Sequence, residues 1–355
     1  MTDINDITKN GFSLEKTKLE LFSLRISLIA YFSTYRTMEY NLHAFFPENE
    51  ENQMDEFYHN NSYVEKCTEA IIHLHHFVEL VCKDILRDEH RLLADFTSDR
   101  HHIILYKLIN DTLSDEENQK LQSIEFQVAL ERLIELIRNR KIKNHEKLIF
   151  IKEAKVWLES LNNLRNRLIH RGIFVLRYPA LDSLFGKYAL PFIEKVVALA
   201  KYSNKESSWK YTNLSCGIDP ISEIINTFRQ GSYNIGKVAM LKELGRSAYE
   251  QPRKIKNWSF LDEERQLRAE RIANSETVNV AGVRQCPVCG AASLVIYDEI
   301  EVDGENYRDH TYEKAWLYIW QVHCMNCTFE VNHHLENPKE YDLPIDDFWY
   351  GQELT

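Results

Sequence analysis

Two short motifs, "CPVCG" at residues 286–290 and "CMNC" at 324–327, supply four cysteines in two C-x-x-C pairs. Two thiolates separated by two residues reach one tetrahedral ion from a single turn, so Cys286, Cys289, Cys324 and Cys327 make a four-sulfur metal set. Zinc is the expected ion and iron in an all-thiolate site the alternative, because sulfur ligands accept both. A closed four-thiolate site leaves no open coordination position, so its expected role is structural. Gly290 permits the left-handed turn that aims amide N–H groups at sulfur. His310, His323, His333 and His334 lie close enough in sequence to extend or replace this set.

A different chemistry is written in "LNNLRNRLIHRG" (161–172), where Arg165, Asn166 and His170 crowd the end of an apolar helical pattern. A guanidinium holds phosphoryl oxygens, and an imidazole titrating near neutrality moves protons. On an ideal helix Arg165 falls within the stripe of Leu158, Leu161, Leu164 and Leu168, while His170 lies about 140° away from it. One regular helix therefore cannot aim both side chains at one point. Either the helix distorts before Gly172 or a second copy of the chain supplies one partner. A buried salt bridge from Arg165, for instance to Glu79, is the purely structural reading. The same R-x(4–6)-H spacing occurs at Arg36 with His43 and at Arg140 with His145, so the helical setting distinguishes Arg165 and His170.

These groups need a scaffold, and its character is legible. Between Gly11 and Gly172 there is no glycine, and Pro47 is the only proline. So long a stretch without breakers predicts helices. Val64, Cys67, Ile71, Leu74, Val78, Val81 and Ile85 recur every three or four residues and predict one long helix. Further helices are expected over about 123–138 and 148–171, in "KLELFSLRISLIAYFSTYRTMEYNLHAFF" and near 190, 220, 237–250 and 260–273. "PENEENQMDEF" (47–57) reads as a loop and "IFVLRY" (173–178) as a short strand. From about 276 the texture turns β-rich, with "ASLVIYDEIEV" and "AWLYIWQVHC" as strands. The expected organisation is a helical domain over 1–200, a helical region over 201–275 and a small β module over 276–355.

The net charge of −11 is unevenly placed. Residues 291–355 hold 14 acids against Arg308, Lys314 and Lys339, whereas the 40 acids and 40 bases before them cancel. The acidity thus belongs to the C-terminal module, a poor clamp for nucleic acid but a fit surface for a regulatory protein partner. Basic patches remain elsewhere: "RNRKIKNHEK" (138–147), with Arg138, Arg140, Lys141 and Lys143, and "PRKIKNW" (252–258). No apolar run approaches the roughly 20 residues that cross a bilayer. The polar N-terminus lacks a signal-peptide core, and a cytoplasmic protein is expected. Cys67, Cys82 and Cys216 are scattered, and Cys67 falls in the apolar stripe. "HLHH" (73–76) puts His73 and His76 on one helix face without a matching carboxylate pair, and Glu79 and Lys83 form an i, i+4 pair nearby. No phosphate-binding glycine loop or G-x-S-x-G elbow is present, which argues against an ATPase or a serine hydrolase.

R-N-x-x-x-H at Arg165, Asn166 and His170, with the helices before it and the "HFVELVCKDIL" helix, resembles the HEPN (higher eukaryotes and prokaryotes nucleotide-binding) family over roughly residues 20–200. The cysteine pairs with their intervening strands resemble a zinc ribbon, although the 34-residue interval exceeds the commonest one. The implied fold is mainly α: a HEPN-like bundle, a helical middle and a β-rich ribbon. The HEPN resemblance implies a homodimeric, metal-independent endoribonuclease of a toxin or antiviral system. Arg165 and His170 would be its catalytic pair and Asn166 their helper, and the products would carry 2′,3′-cyclic phosphate and 5′-hydroxyl ends. RNA contacts are expected from Arg138, Arg140, Lys141, Lys143, Arg167 and Arg171. The alternative is a catalytically silent HEPN-like adaptor that binds RNA or a protein.

Overall fold

The computed structural model describes residues 18–42, 60–96, 102–118, 121–171, 174–251, 259–275, 279–303 and 314–354. The expected loop at 47–57, the basic patch 252–258, His43 and His310 lie outside the described residues. The chain is mainly helical with a small antiparallel sheet toward its C-terminal end. The longer helices are α1 (Leu19–Met38), α2 (Asn61–Glu89), α3 (His102–Ile109), α4 (Phe126–Arg138), α5 (Ile149–Glu153), α6 (Lys155–Arg171), α7 (Tyr178–Leu184), α8 (Leu190–Val197), α9 (Pro220–Arg229), α10 (Ile235–Glu250) and α11 (Ser259–Ala273). The sheet contains β1 (Val280–Arg284), β2 (Leu294–Asp303), β3 (Lys314–Cys324), β4 (Glu330–Asn332) and β5 (Gly351–Leu354).

Two compact units emerge, and each draws on separate stretches of the chain. The first holds Met1–Ser27, Glu69–Phe174 and Lys195–Trp209; the second holds Leu28–Thr68, Val175–Glu194 and Lys210–Thr355. Helices α1 and α2 therefore contribute residues to both, although sequence texture alone divides the chain linearly near 200 and 276.

In the first unit, α2 buries Ile71, Leu74, Phe77, Val78, Val81 and Leu86, and α4 buries Ala129, Leu130, Leu133, Ile134 and Ile137. Helix α6 adds Leu158 and Leu161. Burying a side chain of this size is worth about 1.5–3 kcal/mol, which makes the apolar stripes the main cement. The helix expected over 148–171 is interrupted: α5 ends at Glu153, Ala154 forms a turn, and α6 starts at Lys155. Polar side chains cross between helices in pairs. Ser27 Oγ donates to the Ala70 carbonyl at 2.8 Å, and Ser23 Oγ lies 2.8 Å from His76 Nδ1. Arg87 makes a two-pronged contact with Asp95, with bonds of 3.1 and 2.7 Å.

The second unit is organised around α10, whose residues from Ile235 to Tyr249 are all buried except the half-buried Lys237. Gly245 lets Phe32 lie against the helix, since an added Cβ would come within 2.7 Å of the ring. Lys242 is completely buried in this helix and pairs with the equally buried Asp182 of α7. Its Nζ also sits over the Tyr178 ring at 3.7 Å and the Tyr31 ring at 4.7 Å, so aromatic faces replace part of its lost hydration. Burial drives the Lys242 ammonium down and the Asp182 carboxyl up, and each opposes the other's shift. Among the described residues, the strand expected at 173–178 does not form. Residues 174–177 join no ladder, the Leu176 carbonyl accepts from the Tyr63 hydroxyl at 2.7 Å, and α7 begins at Tyr178.

One buried carboxylate makes this unit sensitive to pH. Burial lifts Glu39 from the usual carboxylate range to about 7, against the pull of Arg36 at 2.7 Å. A raised acid pKa stabilises the fold below the unfolded value of 4.5 and loses that contribution as pH rises through 7. Between pH 6 and 8 the loss amounts to about 1.4 kcal/mol. Denaturant unfolding of metal-loaded protein should show this decline, and Glu39→Gln should lack it. Parallel pH profiles for both proteins would refute the assignment.

Candidate metal centre and the Arg165–His170 helix end

The four cysteine Sγ atoms all lie within 4.8 Å of one another, three of their residues buried and Cys289 half-buried. Cys286 and Cys327 approach to 3.5 Å, and Cys289 and Cys324 to 3.7 Å. A tetrahedral ion with Zn–S bonds of about 2.3 Å would space its sulfurs about 3.8 Å apart, so the set fits a metal of that size. Two similar turns present them. Gly290 N–H donates to the Cys286 carbonyl at 2.9 Å, and Thr328 N–H to the Cys324 carbonyl at 3.2 Å. Gly290 has φ +74° and Thr328 has φ +64°, both left-handed. Glycine adopts this conformation freely, whereas a β-branched threonine does so at a cost.

Amides in these turns point at sulfur. Val288 N–H donates to Cys286 Sγ at 3.4 Å, Asn326 N–H to Cys324 Sγ at 3.4 Å and Cys327 N–H to Cys324 Sγ at 3.5 Å. Ser293 Oγ stands 3.3 Å from Cys324 Sγ. The close sulfurs divide their protons: those of Cys286, Cys289 and Cys327 push the Cys324 thiol down, while burial pushes Cys286 up. Full deprotonation of the quartet requires a cation at its centre, so metal binding must release protons.

The surrounding structure grips both turns. Ser215 and Cys216 donate backbone N–H groups to the carbonyls of Val288 and Pro287 at 2.9 and 2.8 Å, and Gln251 Nε2 donates to Val288 at 2.9 Å. On the second turn, Arg246 of α10 donates to the Thr328 carbonyl at 2.6 Å, and Arg265 of α11 to Asn326 Oδ1 at 2.8 Å. The buried Glu243 carboxylate fixes Arg246 through two bonds of 2.7 and 2.6 Å and accepts the Glu330 N–H at 2.8 Å. These contacts hold Thr328 in its strained conformation and tie the metal turns to the most buried helix of the unit. Among the described residues His323, His333 and His334 stay outside the cluster. His323 faces Glu330 at 3.8 Å, and His333 stacks near His334.

The other candidate site lies at the end of α6. Arg165 is half-buried, and its Nη1 donates to Asn166 Oδ1 at 2.9 Å. Glu79 does not pair with it: its carboxylate receives Lys83 at 2.5 Å and lies 3.7 Å from His75 Nδ1. Among the described residues Arg165 has no ion pair. His75, buried on α2, makes a 2.9 Å bond with Asn162 Oδ1, and burial holds its imidazole below the usual histidine range. His170 is exposed and falls on the stripe of Val156, Ser160, Asn163 and Arg167, all exposed. The helix runs regularly to Arg171, so one chain does not bring Arg165 and His170 together. Leu164 and Leu168 are half-buried, and Ile169 is 45 % exposed beside them.

The remaining candidates are dispersed. Arg138 ends α4, and Arg140, Lys141 and Lys143 follow on the turn after it, anchored by buried Ile142; all four are exposed. Arg140 and Asn144 adopt left-handed backbone there, with φ of 54° and 55°. The Arg167 guanidinium lies 3.7 Å above the Phe174 ring. Arg171 ends α6, and His73 and His76 join no metal-ligand cluster among the described residues. Comparison of the chain with protein-family models, with curated proteins and with solved structures finds no match.

Sequence reading missed the Glu243–Arg246 clasp on the metal turns and the Lys242–Asp182 pair. A signal for Lys242 existed: it follows Leu241 and stands four residues after Val238, where a surface lysine does not belong. None existed for Thr328, whose left-handed conformation appears only in three dimensions.

Proposed function

We propose that this protein is a metal-independent endoribonuclease of the HEPN type, assembled from two copies of the chain, with a structural zinc ion on Cys286, Cys289, Cys324 and Cys327. The observation that carries this reading is Arg165: a half-buried guanidinium, oriented by Asn166, with no carboxylate to neutralise it among the described residues. An arginine in that condition is ready for an anion, and the phosphodiester of RNA is one that a nearby imidazole can act on. His170 stands exposed about 140° round the helix from Arg165, and the half-buried Leu164 and Leu168 with the exposed Ile169 offer a seam for a second copy.

In the composite site, His170 takes the 2′-hydroxyl proton and the 2′-oxygen attacks phosphorus. The bond to the 5′-oxygen breaks, and the leaving oxygen is protonated in turn. Arg165 stabilises the negative charge on the phosphoryl oxygens as it builds. Zinc held by four thiolates is coordinatively closed and takes no part. DNA, lacking the 2′-hydroxyl, should resist.

The test is cleavage of RNA and of a matched DNA by the wild-type protein and His170→Ala at equal metal content. RNA alone should be cut, leaving cyclic phosphate ends, with the variant slower by about 10²–10⁴-fold. RNA bound but left intact by the wild-type protein would favour the adaptor reading, and equal cutting by both proteins would remove His170 from the mechanism.

A further inference from the structure

The far end of the sheet carries an arrangement unrelated to the metal or to the helix end. There β2, β3 and β5 lie side by side, with β3 in the middle. Their register puts Glu301 opposite Trp316 and Trp316 opposite Glu353, so these three side chains share one face in a single row. The next row on that face is Glu299, Tyr318 and Gly351. Two aromatic rings on the central strand are thus bordered by Glu299 and Glu301 on one side and Glu353 on the other. Trp316 is 41 % exposed, and the three carboxylates are exposed as well. Tyr318 donates its hydroxyl to Glu299 at 3.1 Å, which fixes one carboxylate against the ring. Glu301 and Glu353 have no ion pair among the described residues.

The same sheet shows what such a ring attracts. Just before β5, the Tyr350 ring lies 5.8 Å beneath the guanidinium of Arg284. Among the described residues no cation covers Trp316: Lys314, the one described cation on the neighbouring row, stands opposite Asp303, and the carboxylates that flank the ring outnumber it. The spacing suits an extended chain, because side chains two residues apart on a strand project to the same face. Among the described residues β5 pairs only with β3, and no described strand lies along its outer edge, the kind of edge that can take up an added strand. The charge of residues 291–355 repels phosphates and favours a basic polypeptide.

We propose that the Glu299–Glu301–Trp316–Glu353 face is a docking surface for an extended, arginine- and lysine-rich segment of a partner protein, its cations lying over Trp316 between the two carboxylate borders. Recognition there combines cation–π contact with paired charge and weakens as salt rises.

Fluorescence anisotropy of the full, metal-loaded chain with a labelled peptide alternating arginine and threonine tests this. Binding should weaken about tenfold in Trp316→Ala and at least as much in the double variant Glu301→Gln/Glu353→Gln. Glu264→Gln, an exposed position on α11 outside these strands, should bind as the wild type does, and metal content and circular dichroism establish that each variant is folded. The proposal fails if the peptide does not bind, if Trp316→Ala binds it unchanged, or if a single-stranded oligonucleotide binds this face more tightly. A fivefold or larger gain in Arg308→Ala would identify the chain's own residues 304–313 as the occupant and would also overturn it.

Discussion

A chelator strong enough to empty the four-cysteine site is expected to unfold α10 together with the sheet. The metal turns are tied to α10 by Arg246 and to α11 by Arg265, and Glu243 links the same helix to the start of β4. Without a cation the four sulfurs cannot stay deprotonated at their present spacing, and the turns must open. Structural zinc contributes roughly 10–16 kcal/mol in small zinc-binding peptides, and even a third of that would dominate a domain of ordinary stability. At about 2–4 °C per kcal/mol for a unit of this size, the midpoint should fall by at least about 7 °C. Cys327→Ser should act like the chelator. Hydrogen exchange is the decisive readout: amides of Ile235–Glu250 should lose protection when the metal leaves. Retained protection there, with changes confined to the sheet, would show that the two are energetically separate.

Lys242→Met should cost about 3–5 kcal/mol at neutral pH, because it leaves the Asp182 carboxyl buried without its cation. Tyrosine hydroxyls, such as that of Tyr233 at 3.2 Å, do not balance a full charge. The penalty should shrink in acid, where Asp182, already shifted upward by burial, takes up a proton instead. Adding Asp182→Asn to Lys242→Met should recover at least half of the loss, since a buried pair replaced on both sides leaves no bare charge. Urea unfolding of the two single variants and the double variant completes the cycle. A single-variant cost below about 1 kcal/mol, or strict additivity, would mean the pair is not the electrostatic centre of this unit.

Much of this fold was legible because its signals are local. The cysteine spacing picked out four candidate ligands, and their sulfurs do converge closely enough to hold one metal ion. The three- and four-residue repeat in α2 named its buried face, although burial spreads further round to His75 and Lys83. The mainly helical body and the β-rich end followed from the absence of breakers and the strand composition. What sequence concealed is long-range. No local rule tells that Arg246 would clasp a turn 82 residues away. Nor does any local rule tell that the last five strands would build on a helix buried along nearly its whole length rather than stand apart. At the helix end, the 140° divergence of Arg165 and His170 could be calculated beforehand, and the regular course of α6 leaves it in place.

That divergence supplies the most direct measurement. If the ribonuclease site is shared by two copies, Arg165→Ala and His170→Ala are each inactive alone but complement one another when mixed. In a mixed dimer, one site receives Arg165 from one copy and His170 from the other. With random exchange, RNA cleavage should recover to about a quarter of the wild-type rate. Activity that stays at the level of the single variants, in proteins shown to exchange subunits, would contradict a site built from both chains.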